Sequence, residues 1–200
     1  AGVNLHWYAG VDPDPTFAHV TEGAEVLRAA GCTAIVAVGG GSSMDAAKII
    51  ACTRTSDDSP DKWVGLNKVP DDVLPIYAIP TTSGTGSEAT MGAVIKDPVE
   101  KLKHIIVGEN LLPQAVALDP DLLLGLPAPV TAATGIDALT HGIEAYICIW
   151  DRGTRKENGR LAIQGVFRWL ERAVQHPEDV EARQGMAVAA YHAGIAINQV

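Results

Sequence analysis

Apolar positions fall into short continuous runs and helical stripes along the first part of the chain. Phe17, Val20, Ala24 and Leu27 share one helical face and predict an amphipathic helix. Ala34-Ile35-Val36-Ala37-Val38 is a continuous apolar run, the pattern of a strand buried on both faces in a parallel sheet. Gly39 to Ser43 breaks the run, and a second helix is predicted through Asp45, Ala46, Lys48 and Ile49. A polar loop rich in Asp and Pro follows from about Thr53 to Asp72. Ile76-Tyr77-Ala78-Ile79 predicts another strand ended by Pro80, with further strands at Val94-Ile95, Ile105–Val107 and Ala115–Leu118. Alternation of this kind predicts an α/β layer around a parallel sheet.

The periodicity changes near Leu126-Pro127. From Val130 onward it is helical and no strand pattern recurs. Ile136, Leu139, Ile143 and Ile147 form one stripe, Leu161, Phe167, Leu170 and Val174 a second, and Met186, Ala190 and Ile197 a third. The expected organisation is an α/β domain over 1–126 and an all-α segment over 127–200.

Composition narrows the classes of function. The 200 residues are 47% hydrophobic and 20% charged, as in a globular protein able to bury a core. A formal net charge of −9 argues against a nucleic-acid or anionic-membrane binder, which needs a basic surface. Cys32, Cys52 and Cys148 form no CxxC pair and no disulfide framework, so each is expected to be a small buried hydrophobe in a reduced, cytoplasmic protein. No apolar run has the length of a bilayer span, and no signal peptide is expected.

Three stretches carry candidate chemistry. Gly39-Gly40-Gly41-Ser42-Ser43 follows a predicted strand and opens a helix. Its glycines would let the backbone approach a ligand, and the unpaired N–H groups of the helix start favour an anion such as a pyrophosphate. Ser42 is placed to cap the helix or to donate to a phosphate oxygen. A plain strand-to-helix turn is the alternative, since this is not the GxGxxG pattern. Pro80-Thr81-Thr82-Ser83-Gly84-Thr85-Gly86-Ser87-Glu88 also leaves a strand and is crowded with hydroxyl donors, as a bound cofactor requires. Ligands of open α/β sheets bind at such strand ends. Lys103 would add positive charge there, or be a solvated surface lysine.

In Gly135-Ile136-Asp137-Ala138-Leu139-Thr140-His141-Gly142-Ile143-Glu144, Asp137 and His141 are spaced four apart and Glu144 follows three later, all on one helical face. Ile136, Leu139 and Ile143 are expected to face the core. A carboxylate and an imidazole so spaced can grip one divalent cation, as in HExxH sites, although a catalytic ion needs at least a third ligand. A simple Asp–His ion pair is the alternative reading.

Taken together, the motifs resemble those of the iron-containing alcohol dehydrogenases. Gly39-Gly40-Gly41-Ser42-Ser43-Met44-Asp45-Ala46-Ala47-Lys48, the Pro80–Glu88 segment, and Ala117-Leu118-Asp119-Pro120 followed by Gly135–His141 are similar to three family signatures. Val11-Asp12-Pro13-Asp14-Pro15-Thr16 resembles the segment before the first. The resemblance implies a dinucleotide-binding α/β domain and a helical domain on the dehydroquinate-synthase-like two-domain plan. It implies that Gly40, Gly41 and Ser42 hold the pyrophosphate, that Asp45 supports the turn, and that Thr81, Thr82, Thr85, Thr90 and Lys103 contact NAD or NADP. Asp137 and His141 would bind the metal, iron(II) or in some members zinc. The implied reaction is reversible oxidation of a small primary alcohol or diol. A homo-oligomer is expected on the general frequency of such assemblies.

The resemblance also implies two further histidine ligands on later helices and an earlier strand–helix unit that selects NAD or NADP. Neither is present, so the chain is expected to be an internal piece of a longer enzyme, truncated at both ends. His192 occupies a position where the family has an apolar residue. His104 and His176 lie outside the ligand positions, and His6 and His19 are expected at the surface. Alternatives are a glycerol dehydrogenase-like enzyme, disfavoured by Gly-Ile-Asp-Ala-Leu-Thr-His, or a non-catalytic nucleotide-binding fragment.

Overall fold

The computed structural model describes residues 2–56, 58–149 and 154–198. Residues 150–153 and 199–200 of the helical segment predicted over 127–200 lie outside them. In chain order the elements are α1 (Phe17–Ala30), β1 (Ile35–Gly39), α2 (Gly41–Cys52), β2 (Gly65–Leu66), β3 (Ile76–Pro80), β4 (Gly92–Asp97), β5 (Leu102–Val107), β6 (Ala115–Val116), α3 (Ala128–Ile147), α4 (Arg155–Gln175) and α5 (Val180–Ile197).

The strands form two three-stranded sheets, ordered β1-β3-β6 and β2-β5-β4. In the first, Ile35 N–H donates to Pro75 O and Thr81 N–H to Gly39 O, so β1 and β3 rise together and are parallel. α2 is the crossover between them. In the second, β4 and β5 are an antiparallel hairpin and β2 pairs parallel to β5. The strands at Val94-Ile95 and Ile105–Val107 therefore do not extend the parallel sheet, because the short 98–101 turn folds β5 straight back on β4. The predicted polar loop over 53–72 holds a helical turn at Pro60–Trp63 and the strand β2.

Contacts divide the chain into two compact units. One runs through Ala37 and includes Ser42–Ala78 and Met91–Ala115; the other comprises Val38–Gly41, Ile79–Thr90 and the chain from Val116 onward. The first unit is built around Val20, Leu27, Ile49, Ile50, Trp63, Ile95, Ile106 and Leu111, all buried. α1 starts with a reciprocal cap: Thr16 Oγ1 accepts from His19 N–H, and His19 Nδ1 accepts from Thr16 N–H. His19 thus fills the capping-box position usually held by Glu or Gln, and is half-buried rather than a free surface residue. His6 is exposed, as expected. β1 is buried on one face only: Ala37 is covered, whereas Val36 and Val38 are 55% and 46% exposed. The continuous apolar run suggested burial on both faces; among the described residues, only alternate positions of the strand are packed. Of the cysteines only Cys52 is buried, and burial pushes its thiol up to about 12; Cys32 and Cys148 are half-buried.

In the second unit α3, α4 and α5 pack around Ala138, Ala162, Val166, Ala173, Ala182, Met186, Ala189, Ala190 and Ala193. The core face of α3 is Thr131, Gly135, Ala138, Gly142 and Ala145, whereas Ile136, Ile143 and Ile147 are exposed, as is Phe167 on α4. This reverses the expectation for those four residues. The reason is backbone proximity: a Cβ on Gly159 of α4 would lie 2.8 Å from Gly142 O, so small residues line the contact and branched ones point outward. Among the described residues no helix is long and apolar enough to cross a membrane.

Candidate functional site

The glycine turn and the hydroxyl segment meet through side chains rather than through open space. A Cβ on Gly40 would lie 3.2 Å from Thr82 Cγ2, and one on Gly41 would lie 2.7 Å from Thr85 Cγ2. These glycines are small because two threonines press on them, a reason additional to ligand approach. Thr81 N–H donates to Gly39 O at 2.9 Å, fixing the start of the hydroxyl segment beside the turn.

The far side of the hydroxyl segment rests on helices of the same unit. A Cβ on Gly84 would lie 2.4 Å from Thr134 Cβ of α3. Gly86, in the left-handed region at φ 63°, meets Gly194 of α5, whose added Cβ would lie 2.4 Å from Gly86 O. Asn198 Nδ2 donates to Ala89 O at 2.6 Å. Inside the segment Thr85 Oγ1 accepts from Ser87 N–H at 3.2 Å, and Thr90 Oγ1 donates to Ser87 O at 3.4 Å. Thr82 Oγ1 and Ser83 Oγ are buried without a hydrogen-bond partner. A buried hydroxyl left unpaired costs about 1–3 kcal/mol, so these atoms suit a ligand that brings its own polar groups.

Ser42 and Lys103 belong to the other unit. Ser42 lies within the first turn of α2 and does not cap it; its Oγ accepts from Asp14 N–H at 3.2 Å. Asp14, non-glycine at φ 59°, pairs with Lys103 at 2.7 Å and Lys96 at 3.4 Å. The hydrogen bonds from Lys103 and Lys96 hold its carboxyl below the ordinary carboxylate value. Lys103 is therefore ion-paired rather than simply solvated. The sequence alone does not mark Asp14 and Lys96 as site residues, although Asp14 lies in the Val11–Thr16 segment that carries part of the resemblance. Asp45 Oδ2 accepts from Val94 N–H at 3.0 Å, tying α2 to β4.

On α3, Asp137 Oδ1 and His141 Nε2 face each other at 3.8 Å, beyond hydrogen-bond length; their side chains are 45% and 24% exposed. Glu144 is exposed. Oxygen and imidazole donors one turn apart suit a divalent cation. They are two ligands of a site that needs more: the one group of three or more metal-type side chains among the described residues is Asp97, Glu100 and His104, at the β4–β5 turn. His141 Nδ1 is buried without a partner, whereas a ligating histidine normally donates its second N–H to a neighbour. The donor pair thus fits part of a metal site. His104 packs against Phe17 with ring centroids 5.9 Å apart, His176 is exposed at the end of α4, and His192 Nδ1 is 2.8 Å from Asn158 Oδ1.

Comparison with known proteins bears on these features together. A sequence model described as iron-containing alcohol dehydrogenase matches residues 1–120, and one described as Fe-containing alcohol dehydrogenase family, C-terminal, matches residues 131–200. The chain is 40% identical to the NAD-dependent methanol dehydrogenase of Bacillus methanolicus over 99% of its own length and 52% of that protein's. Among solved structures, an alcohol dehydrogenase from Oenococcus oeni superposes with a TM-score of 0.93 at 33% identity, over 99% of this chain and 52% of that one. The sulfoacetaldehyde reductase of Bifidobacterium kashiwanohense, solved with NAD+, superposes with a TM-score of 0.90 at 36% identity, over 95% of this chain and 51% of that one. The chain spans about half the length of the relatives it matches.

Proposed function

The chain belongs to the iron-containing alcohol dehydrogenase family, and on that premise we propose that its protein transfers hydride reversibly between a small primary alcohol or diol and NAD(P). The observation that carries this reading is the line of contacts Gly41–Thr85 and Gly84–Thr134, which joins the glycine turn to α3 one turn before Asp137. Relatives named as an NAD-dependent methanol dehydrogenase and as a reductase in complex with NAD+ support the cofactor class.

In this reading Gly40, Gly41 and Ser42 hold the pyrophosphate, with Asp45 anchoring α2. Thr81, Thr82, Thr85, Thr90 and Lys103 contact the rest of the nucleotide, and the unpaired Thr82 hydroxyl supplies a hydrogen bond the folded chain leaves unused. Asp137 and His141 hold the metal, iron(II) or zinc. The bound cation would polarise the alcohol oxygen as a Lewis acid, and the nicotinamide would accept the hydride. The work of the chain is positioning: α3 orients the donor pair, and the loop packed on Thr134 fixes the nucleotide relative to that helix. Functionally the chain divides near residue 126, with nucleotide binding over 1–126 and metal binding over 127–200. We further assign the protein to the cytoplasm, as a homo-oligomer with no nucleic-acid or membrane partner.

The test is anaerobic turnover by the full-length protein, supplied with iron(II) or zinc, using ethanol, 1-propanol, 1,2-propanediol and glycerol. NAD(P)H formation with the linear alcohols that Asp137→Ala or His141→Ala abolishes supports the reading. Turnover of glycerol alone would move the protein to the glycerol dehydrogenase-like alternative.

A further inference from the structure

Arg183, in the first turn of α5, is completely buried. Its guanidinium meets three acceptors, and none is a carboxylate: Nε donates to Pro177 O at 2.9 Å, Nη1 to Thr131 Oγ1 at 2.7 Å, and Nη2 to Leu126 O at 3.0 Å. The Thr131 hydroxyl donates in turn to Pro127 O at 3.2 Å. One side chain therefore joins the α4–α5 turn, the segment leading into α3, and the first turn of α3.

That placement matters because α3 starts without a side-chain cap. Its N-cap residue is Pro127, with no side-chain hydrogen bond to the first turn. Helix starts normally rely on such bonds for rigidity. A planar guanidinium offering donors in a fixed fork sets direction as well as distance, which a lysine ammonium does not. Asp137 and His141 lie on the third and fourth turns of the same helix, so a tilt at Thr131 is carried to both donor atoms.

We propose that Arg183 is a positioning residue for the Asp137/His141 donor pair, acting through Thr131 and the entry to α3. The metal role of that pair rests on the function proposed above; the control of α3 by Arg183 does not. Arg183 touches neither reacting group, and its effect is to fix where α3 begins and which way the donor face points.

The experiment compares Arg183→Lys and Thr131→Val with the parent, using the full-length protein. Thr131→Val removes one acceptor and leaves the other two Arg183 bonds, so it keeps the test open if Arg183→Lys does not fold. Amide hydrogen exchange is followed over 132–141 of α3 and over 159–170 of α4, and cobalt(II) affinity is measured by its visible spectrum. The expected result is faster exchange over 132–141 with α4 unchanged, and cobalt(II) binding weakened by about tenfold, the scale of an outer-shell loss. Unchanged exchange over 132–141, or a uniform rise across both helices, overturns the proposal and leaves Arg183 a general packing residue. If the parent binds no cobalt(II) while exchange responds selectively, the function assigned to Asp137 and His141 fails and the role of Arg183 in α3 stands.

Discussion

Gly84 and Thr134 are in direct contact: a Cβ built on Gly84 would lie 2.4 Å from Thr134 Cβ and 2.5 Å from Thr134 O. Because backbone forms part of the obstacle, rotation of a side chain cannot relieve it. The glycine sets how closely the hydroxyl segment approaches α3, three residues before Asp137.

Gly84→Ala is therefore predicted to destabilise the protein by about 1–3 kcal/mol, the usual scale of overpacking, and to weaken nucleotide binding. Thermal unfolding and titration with NAD(H) by fluorescence measure the two effects. Unchanged values for both would mean that the segment is free to lift from α3.

The contact between Gly41 and Thr85 allows packing to be separated from binding. Gly41→Ala should lower stability, since its Cβ would meet Thr85 Cγ2 at 2.7 Å and Oγ1 at 2.8 Å. Adding Thr85→Ala removes both atoms and should recover part of that loss. Nucleotide affinity should stay low in the double variant, because the hydroxyl is gone. A double-mutant cycle in urea reads the coupling; additive effects would contradict direct contact.

Burial lowers the His192 imidazole from its ordinary value of 6.5, against an opposing pull from Glu157. The unfolded chain therefore takes up a proton first as pH falls. Stability should hold above about pH 6.5 and decline as pH drops from there toward the folded-state value. His192→Gln, which can keep a hydrogen bond to Asn158, should flatten this dependence in urea unfolding between pH 5 and 7. An unaltered slope would assign the pH dependence to another group.

Helices α3 and α4 meet through glycine, with a Cβ on Gly159 reaching 2.8 Å from Gly142 O. Gly159→Ala is predicted to lower stability by about 1–3 kcal/mol despite its better helix propensity. A rise in the unfolding midpoint would contradict the close approach.

The elements of the α/β part are readable because β1 and β3 are short apolar runs and α2 opens after the Gly39–Ser43 break. The faces of α3 are not. Ile136 and Ile143 form the more hydrophobic stripe, yet the packed face is Gly135, Ala138 and Gly142, because closeness of two backbones excludes the residues that a hydropathy pattern weights most. The pairing of β4 with β5 was hidden for a related reason: Gly92–Asp97 and Leu102–Val107 read as strands, but sheet membership depends on which edge is available. The candidate residues were visible as motifs, and the hydroxyl segment's position against Thr134 and Gly194 was not, since its glycines read equally as flexible loop. Arg183 had no signal at all: a lone arginine on a helix is ordinarily solvated, and only the structure supplies its three acceptors.

The most direct measurement is metal content together with alcohol-dependent cofactor reduction, in the full-length protein and in its Asp137→Ala and His141→Ala variants. The parent is predicted to retain a divalent metal and to reduce NAD(P) with a linear alcohol, and each variant to lose both while its far-ultraviolet circular dichroism is unchanged. Retention of metal and turnover at the parental level in both variants would contradict this.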